Sequence, residues 1–365
     1  MNTQAMPPLQ ALVVAQAGPG VGLGHLSRAL VVARALQHRL GAQVQLLVQG
    51  EALQRADLQA FAHQFIAPDA DLAAAINARL PNAAASLLTL DLQPRRVPDQ
   101  LAQALPGWRA NGCKVVAIDG LLAWRALLDL VFIPSICFVP PPEPVSPSAV
   151  LLHGWDCLLI DPLPAPAPRW QAGPQVLALT GGSDATGLGA HWPALLDQTL
   201  PASSQLHWVT GPYARAPQWP AQTRLSAMQQ HLAPAGLGPL MDRCQYAVSI
   251  FGVSVYELLQ RGVPTVVFSP YGQQDDAALA ALSAAGVALV AHDEADASRQ
   301  LAALMADPVR AAALSHAASA RLRRSGGDTL SLAVAALLGS ATQPVGAQPA
   351  ANPISPSTPD QTRPP

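Results

Sequence analysis

A short apolar run, a glycine-bearing turn and then apolar residues at helical spacing recur along this chain. Residues 12–16 are apolar, residues 18–24 carry four glycines, and Leu26, Leu30, Ala33, Leu36 and Leu40 then share one helical face. A second strand-like run covers 44–48, and runs at 114–118 and 135–139 flank a helical stretch near 124–129. The rhythm restarts with a strand at 175–180 and a loop at 181–187. Further strand runs lie at 206–210, 246–250 and 265–269, with helical patterns over 256–261, 275–285 and 298–324. Strands that alternate with helices pair in parallel, and a parallel sheet needs helices over both faces. The fold class expected is α/β.

A length of 365 residues suggests about two domains. The stretch 161–174, DPLPAPAPRWQAGP, is rich in proline and reads as a stiff linker. It separates a first unit at 8–160 from a second at 175–339. Residues 340–365 are rich in Pro, Ser, Thr and Gln without apolar periodicity and read as disordered. Two α/β halves across a hinge leave a cleft, and clefts between domains take ligands.

Bulk charge narrows the partners. Lys+Arg number 21 against Asp+Glu 23, a net charge of -2. That balance carries no footprint for nucleic acid. Arg321, Arg323 and Arg324 form the one dense basic cluster, at the end of a helical pattern where it complements the helix dipole. Cys113, Cys137, Cys157 and Cys244 are scattered, with no metal-ligand or disulfide spacing. Reduced thiols, no basic segment preceding an apolar run at the start, and apolar stretches too short to span a bilayer all read as a cytoplasmic protein. Peripheral contact with a membrane surface is compatible with this but not required.

Four segments could carry chemistry. The first is Gly18-Pro-Gly-Val-Gly-Leu-Gly-His-Leu-Ser-Arg28. Its glycines, Gly22 and Gly24 among them, let backbone approach a ligand, and the helix that follows offers free N–H groups to an anion. It is neither a dinucleotide fingerprint nor a Walker A loop, because the third glycine, the later acidic residue and the Gly-Lys pair are missing. His25 and Arg28 lie at i and i+3 on one face. His25 suits proton transfer near neutral pH, and it equally suits packing in a tight turn.

The second segment is Thr180-Gly-Gly-Ser-Asp-Ala-Thr-Gly187, where Gly181, Gly182, Ser183 and Asp184 suit a phosphate or an ordinary capped turn. The third is Ser249-Ile-Phe-Gly-Val-Ser-Val-Tyr-Glu257. In it Gly252 ends a strand, Ser254 is placed to cap, and Glu257 either accepts two ribose hydroxyls or complements the helix dipole. The fourth is Tyr271-Gly-Gln-Gln-Asp-Asp-Ala277, where Gln273 and Asp276 either bond a sugar or begin a helix. Asp69-Ala-Asp71 mimics a metal-binding DxD but begins a helical pattern and reads as a helix cap; Asp293-Glu-Ala-Asp296 spells a helicase box, but no Walker A loop accompanies it. The histidines form no metal spacing, and no metal is expected.

In this order and spacing the four segments resemble the GT-B glycosyltransferase superfamily. The nearest likeness is to the UDP-sugar hydrolases of pseudaminic acid biosynthesis, the spore-coat polysaccharide proteins, and the transferase that adds N-acetylglucosamine to lipid I. Gly22-Leu-Gly-His-Leu-Ser-Arg28 matches the family's GxGHxxR loop, and Gly181-Gly-Ser-Asp184 its GGSDP loop with Ala185 for proline. Gly252, Glu257, Gly262 and Pro264 match its strand–helix segment, Gln273 and Ala277 its NQxxNA segment, and Val209-Thr-Gly-Pro-Tyr213 a strand-end Gly-Pro. The likeness covers most of 10–338.

The resemblance implies two Rossmann-like domains facing a cleft, a UDP-sugar donor held mainly by the second, and no cofactor. Uracil and ribose would lie near Glu257, the diphosphate at the Gly181 and Gly252 loops, and His25 would face the anomeric carbon. The hydrolase group's paired aspartates are absent where Pro140–Pro142 stand, leaving Asp119 as a single carboxylate. Three functions follow as expectations: a glycosyltransferase in cell-surface or exopolysaccharide synthesis with a sugar or glycan acceptor, a UDP-sugar hydrolase using water, or a non-catalytic nucleotide-sugar-binding protein.

Overall fold

A computed structural model describes residues 8–18, 21–80, 86–93, 97, 99–142, 149–164 and 169–339. The expected disordered tail, Gly20 of the first loop and linker residues 165–168 lie outside the described residues. The first sheet contains β1 (Gln10–Ala17), β2 (Gln43–Gly50), β3 (Ala62–Ile66), β4 (Ser86–Asp91), β5 (Cys113–Ile118), β6 (Leu130–Ile133) and β7 (Val150–His153). They stand side by side as β3-β2-β1-β4-β5-β6-β7, each pair parallel. The second sheet contains β8 (Gln175–Leu179), β9 (Gln205–Thr210), β10 (Ala227–Leu232), β11 (Tyr246–Ile250), β12 (Thr265–Phe268) and β13 (Leu289–Val290). Its order is β10-β9-β8-β11-β12-β13, again parallel.

Both sheets are wound the same way. The chain moves outward from β1 and returns to its other side at β4; it does the same from β8 to β11. At such a reversal the loops leaving two adjacent strands part in opposite directions, and a crevice opens at the strands' carboxyl ends. The glycine loops after β1 and β8 therefore sit at the two switch points. This follows from strand order alone.

Helix α1 (Gly24–Leu40) buries Leu26, Ala29, Leu30, Ala33 and Leu36 against the first sheet. Gly41 ends it in the left-handed region (φ 62°), with its N–H on the Gln37 carbonyl and the Ala42 N–H on that of Leu36. A residue with a Cβ is strained in that conformation, so glycine fixes the stop. The remaining helices are α2 (Leu72–Asn77), α3 (Asp99–Ala110), α4 (Trp192–Thr199), α5 (Gly238–Met241), α6 (Val253–Gln260), α7 (Asp276–Ala284), α8 (Glu294–Met305), α9 (Pro308–Arg321) and α10 (Gly326–Leu337).

Several sequence expectations shift. The strand expected at 135–139 is absent: β6 ends at Ile133 because Pro134 has no N–H to continue a ladder flanked by β5 and β7. The single helical pattern at 298–324 divides between α8 and α9, where Asp307 caps a new helix with Pro308 in its first turn. Asp71 caps α2, as the sequence predicts, and Asp293 caps α8. Ser254 does not cap α6; the cap position belongs to Gly252. Strand β4 was not foreseen, and it carries a central residue of the site.

The two domains share more than a linker. Cys157 and Leu159 face the core of the first domain, whereas Leu158 and Ile160 face that of the second, an alternation of period two. Helix α10, part of the expected second unit, crosses back and packs Leu330 and Val334 into the first core beside α1. A Cβ on Gly326 would lie 2.5 Å from the Leu158 carbonyl oxygen, so only glycine allows this approach. Gly326→Ala should therefore destabilise the protein by about 1–3 kcal/mol. Leu330→Ala, a wholly buried truncation, should cost about 2–5 kcal/mol. Urea titrations of the two variants check both values, and wild-type midpoints would show that α10 contributes nothing to holding the first domain.

Candidate active site

Site geometry begins at the end of β1. The backbone folds back between Gly18 and Gly22, whose φ of 77° suits glycine, and enters α1 with no side-chain cap. His25 and Arg28 then project from successive turns of one face. Strand β4 lies against β1 with Ala15 opposite Asp91, so the last residue of β4 points beneath this first turn.

Asp91 is completely buried, and a buried carboxylate needs partners. Its Oδ1 accepts from His25 Nδ1 at 2.6 Å and from Arg28 Nη2 at 2.8 Å, and its Oδ2 accepts from Arg28 Nε at 2.9 Å. Arg28 Nη1 reaches Asp119 Oδ2 at 2.8 Å. Burial pushes the Asp91 carboxyl up, but the charge and hydrogen bonds of Arg28, joined by His25, outweigh it and hold it below the ordinary range. Burial likewise opposes the charge on Arg28, and Asp91 and Asp119 more than restore it. Asp119 is displaced upward, first by burial and then, against the pull of Arg28, by Asp91. Asp119 also holds a left-handed backbone (φ 59°), a costly conformation for a residue other than glycine.

This network sets the proton on His25. Its Nδ1 donates to the ionised Asp91, which leaves the Nε2 lone pair free to accept. Arg28 Nη2 lies 3.0 Å from the same Nδ1. Both nitrogens are donors in that tautomer, so the Nη2 proton goes to Asp91.

Beside this cluster lies an interdomain cleft of about 830 Å³. Gly24, Gly181, Gly182, Gly252, Ser254 and Glu257 line it. Gly181 takes φ 79°, and a Cβ on Gly211 would stand 2.4 Å from the Gly182 carbonyl oxygen, so two glycine turns stack closely at its floor. Thr180 Oγ1 is buried there without a hydrogen-bond partner. Helices α1 and α6 both open onto the cleft without side-chain caps, leaving N–H groups for an anion. Glu257 is pushed up by burial, against the pull of Arg261, Arg55 and Arg34.

Other expected residues stand apart from that cleft. His25, Arg28, Gly22 and Asp119 adjoin it without lining it. Asp184 turns back, accepting the N–H groups of Leu188 at 3.0 Å and Gly189 at 2.8 Å, and Ser183 does not face the cavity. Gln273 and Asp276 lie at the start of α7, also outside the lining. The Tyr256 hydroxyl is raised by burial and then by Cys137, Asp119 and Asp275. Asp119 and the start of α7 thus approach the same side of α6.

Sequence reasoning missed Asp91, Arg34 and Arg55. The signal for Asp91 was the run Ser-Leu-Leu-Thr-Leu-Asp at 86–91, a buried strand ending on a carboxylate.

No family model matches the chain, and no curated protein does so. Solved structures do resemble it. Phytolacca americana UGT2, complexed with UDP-2fluoro-glucose and pterostilbene, aligns at 13% identity over 91% of this chain and 100% of its own, with a TM-score of 0.61. Acinetobacter baumannii MurG aligns at 16% identity over 90% of this chain and 99% of its own, TM-score 0.55. The glycosyltransferase SnogD from Streptomyces nogalater aligns at 14% identity over 91% and 100%, TM-score 0.57. Two parallel sheets wound alike, a cleft between them and these likenesses agree: the chain has the GT-B glycosyltransferase fold.

Proposed function

We propose that this protein is a glycosyltransferase that moves a sugar from a nucleoside-diphosphate donor, UDP foremost, to a hydroxyl acceptor in cell-surface or exopolysaccharide synthesis. The observation that carries this reading is the His25–Asp91 pair beside a glycine-floored cleft. An imidazole whose Nδ1 is held by a buried carboxylate offers Nε2 as a general base. The acceptor O–H gives its proton to Nε2 while its oxygen attacks the anomeric carbon. The bond from that carbon to the diphosphate breaks, and the nucleoside diphosphate leaves with the electron pair. N–H groups at the starts of α1 and α6 and around Gly181 and Gly182 face the charge that builds on it.

Glu257 suits the ribose, because a carboxylate accepts from two adjacent hydroxyls. Asp119 serves as a second carboxylate bordering the reaction centre. The names of UGT2 and of a rhamnosyltransferase solved with thymidine diphosphate, SpnG, support a nucleotide-sugar donor. Water in place of the acceptor would make the same site a hydrolase. The deciding assay measures nucleotide release from a panel of nucleotide sugars with and without cell-extract acceptors. Release that needs an acceptor supports a transferase, release without one rejects it, and binding without turnover leaves a binding protein.

His25→Ala should lower turnover by roughly 10²–10⁴ with UDP affinity within about twofold, since His25 lies outside the cleft lining; single-turnover kinetics with wild-type rates would remove the base role. Asp91→Asn should lose comparable turnover and about 3–5 kcal/mol of stability, because Arg28 is left without its buried counter-ion. Glu257 must be ionised to accept ribose hydroxyls, and burial raises its pKa in the free protein. UDP affinity should therefore fall as pH drops toward the glutamate range of about 4.3 and just above it. Binding there should release a proton, seen as a dependence of calorimetric heat on buffer ionisation. Glu257→Gln should abolish that release, and a pH-independent wild-type affinity would reject the assignment.

A further inference from the structure

The cleft carries arginines on its walls, and Asp57 and Asp161 line it as well. Arg34 and Arg55 both line it, with Arg261 across from them. Arg34 is engaged by Asp161 through two contacts of 2.7 and 2.6 Å at the entrance to the linker. Arg55, in the segment between β2 and β3, is organised differently. Its Nε and Nη2 bond Asp57 at 2.9 and 2.5 Å, and its Nη1 donates to Ser27 Oγ on α1 at 3.3 Å. A guanidinium has five N–H donors, and these contacts use three. The outer nitrogens keep two donors in a plane already fixed by Asp57 and Ser27, so little freedom is lost when they engage a ligand.

Opposite stands Tyr213, on the turn after β9. Its backbone N–H bonds the Gly182 carbonyl at 3.0 Å, which ties the ring to the floor of the cleft. Its phenolic oxygen is buried and has no hydrogen-bond partner. A buried hydroxyl without a partner costs about 1–3 kcal/mol, and a ligand that supplies one recovers it. Arg55 and Tyr213, from different domains, line the same cleft, and burial and Glu51 raise the hydroxyl while Arg55 pulls the other way. Between them lie the Gly181–Gly182 turn and the open end of α6, the elements suited to phosphate.

We propose that Arg55 and Tyr213, one from each domain, together grip the diphosphate of the donor and are specificity-determining residues that read that group rather than the nucleoside. This rests on the nucleotide-sugar reading above. Arg55 supplies two charged donors to non-bridging phosphate oxygens, and Tyr213 O–H donates to a third. A nucleoside without phosphates bridges neither residue. The diphosphate thereby spans both walls, so donor binding favours the closed arrangement of the domains. Once the sugar has gone, the same grip holds the leaving nucleoside diphosphate.

Calorimetric titrations of UDP, TDP and uridine against the full-length wild type, Arg55→Gln, Arg55→Lys and Tyr213→Phe test the proposal. Arg55→Gln should weaken UDP and TDP by roughly 10–100-fold and leave uridine unchanged. Arg55→Lys should recover part of that loss, as a point charge without the fork. Tyr213→Phe should weaken the diphosphates by roughly 3–10-fold. Unchanged uridine binding also reports that each variant is folded. Wild-type UDP affinity in Arg55→Gln overturns the grip while leaving the donor reading intact, and an equal loss for uridine overturns the claim that Arg55 reads phosphate. A wild-type protein that binds neither UDP nor TDP defeats the donor reading, and the grip falls with it.

Discussion

Asp91 must be neutralised where it lies. A carboxylate with 0% exposure at the end of a central strand is far too costly to leave alone. The first turns of α1 supply the remedy: a guanidinium that takes both oxygens and an imidazole that shares one of them. The position of α1, the tautomer of His25 and the side of the sheet on which chemistry can occur all follow from this one requirement. Arg28 also reaches Asp119, so the network continues to the end of β5. Two carboxylates, one guanidinium and one imidazole form one set with Arg28 at its centre.

The same network fixes the orientation of the imidazole. Arg28 takes up much of the negative charge on Asp91, so the carboxylate serves chiefly to orient the imidazole and fix its proton. The other half of the cleft works by a different physical means. Its glycine turns and uncapped helix ends hold N–H groups ready for an anion without a fixed charge at the floor, while the fixed positive charge comes from arginines on the walls. Helices α2, α8, α9 and α10 have side-chain caps from Asp71, Asp293, Asp307 and Ser325.

The domains are coupled by alternation at 157–160 and by α10. A linker strand whose successive side chains enter opposite cores cannot slide without disturbing both. Helix α10 gives the first domain a surface made by the end of the chain, and Arg39 and Asp328 pair across it at 2.7 Å. Arg321 lies over the Trp155 ring at 5.0 Å, so part of the basic cluster read from sequence also helps to fasten the crossing segment.

How much of this was legible depended on distance along the chain. The alternation of apolar runs with helical spacing is local, and it was sufficient for two parallel sheets, the glycine loops at 18–24 and 181–187, and the His25–Arg28 face. The cap at Asp71 was legible for the same reason. Asp91 was not, because nothing within a few residues of it marks a partner 66 positions earlier; only strand order, with β4 beside β1, brings them together. Asp184 could not be turned away from the cleft without the fold of the turn that consumes both its oxygens. That Arg55 and Tyr213 line one cleft was equally invisible, since it depends on how two domains face each other. Local sequence determined the elements and the kinds of chemistry available; tertiary structure decided which side chains meet, because burial and charge compensation act across space and not along the chain.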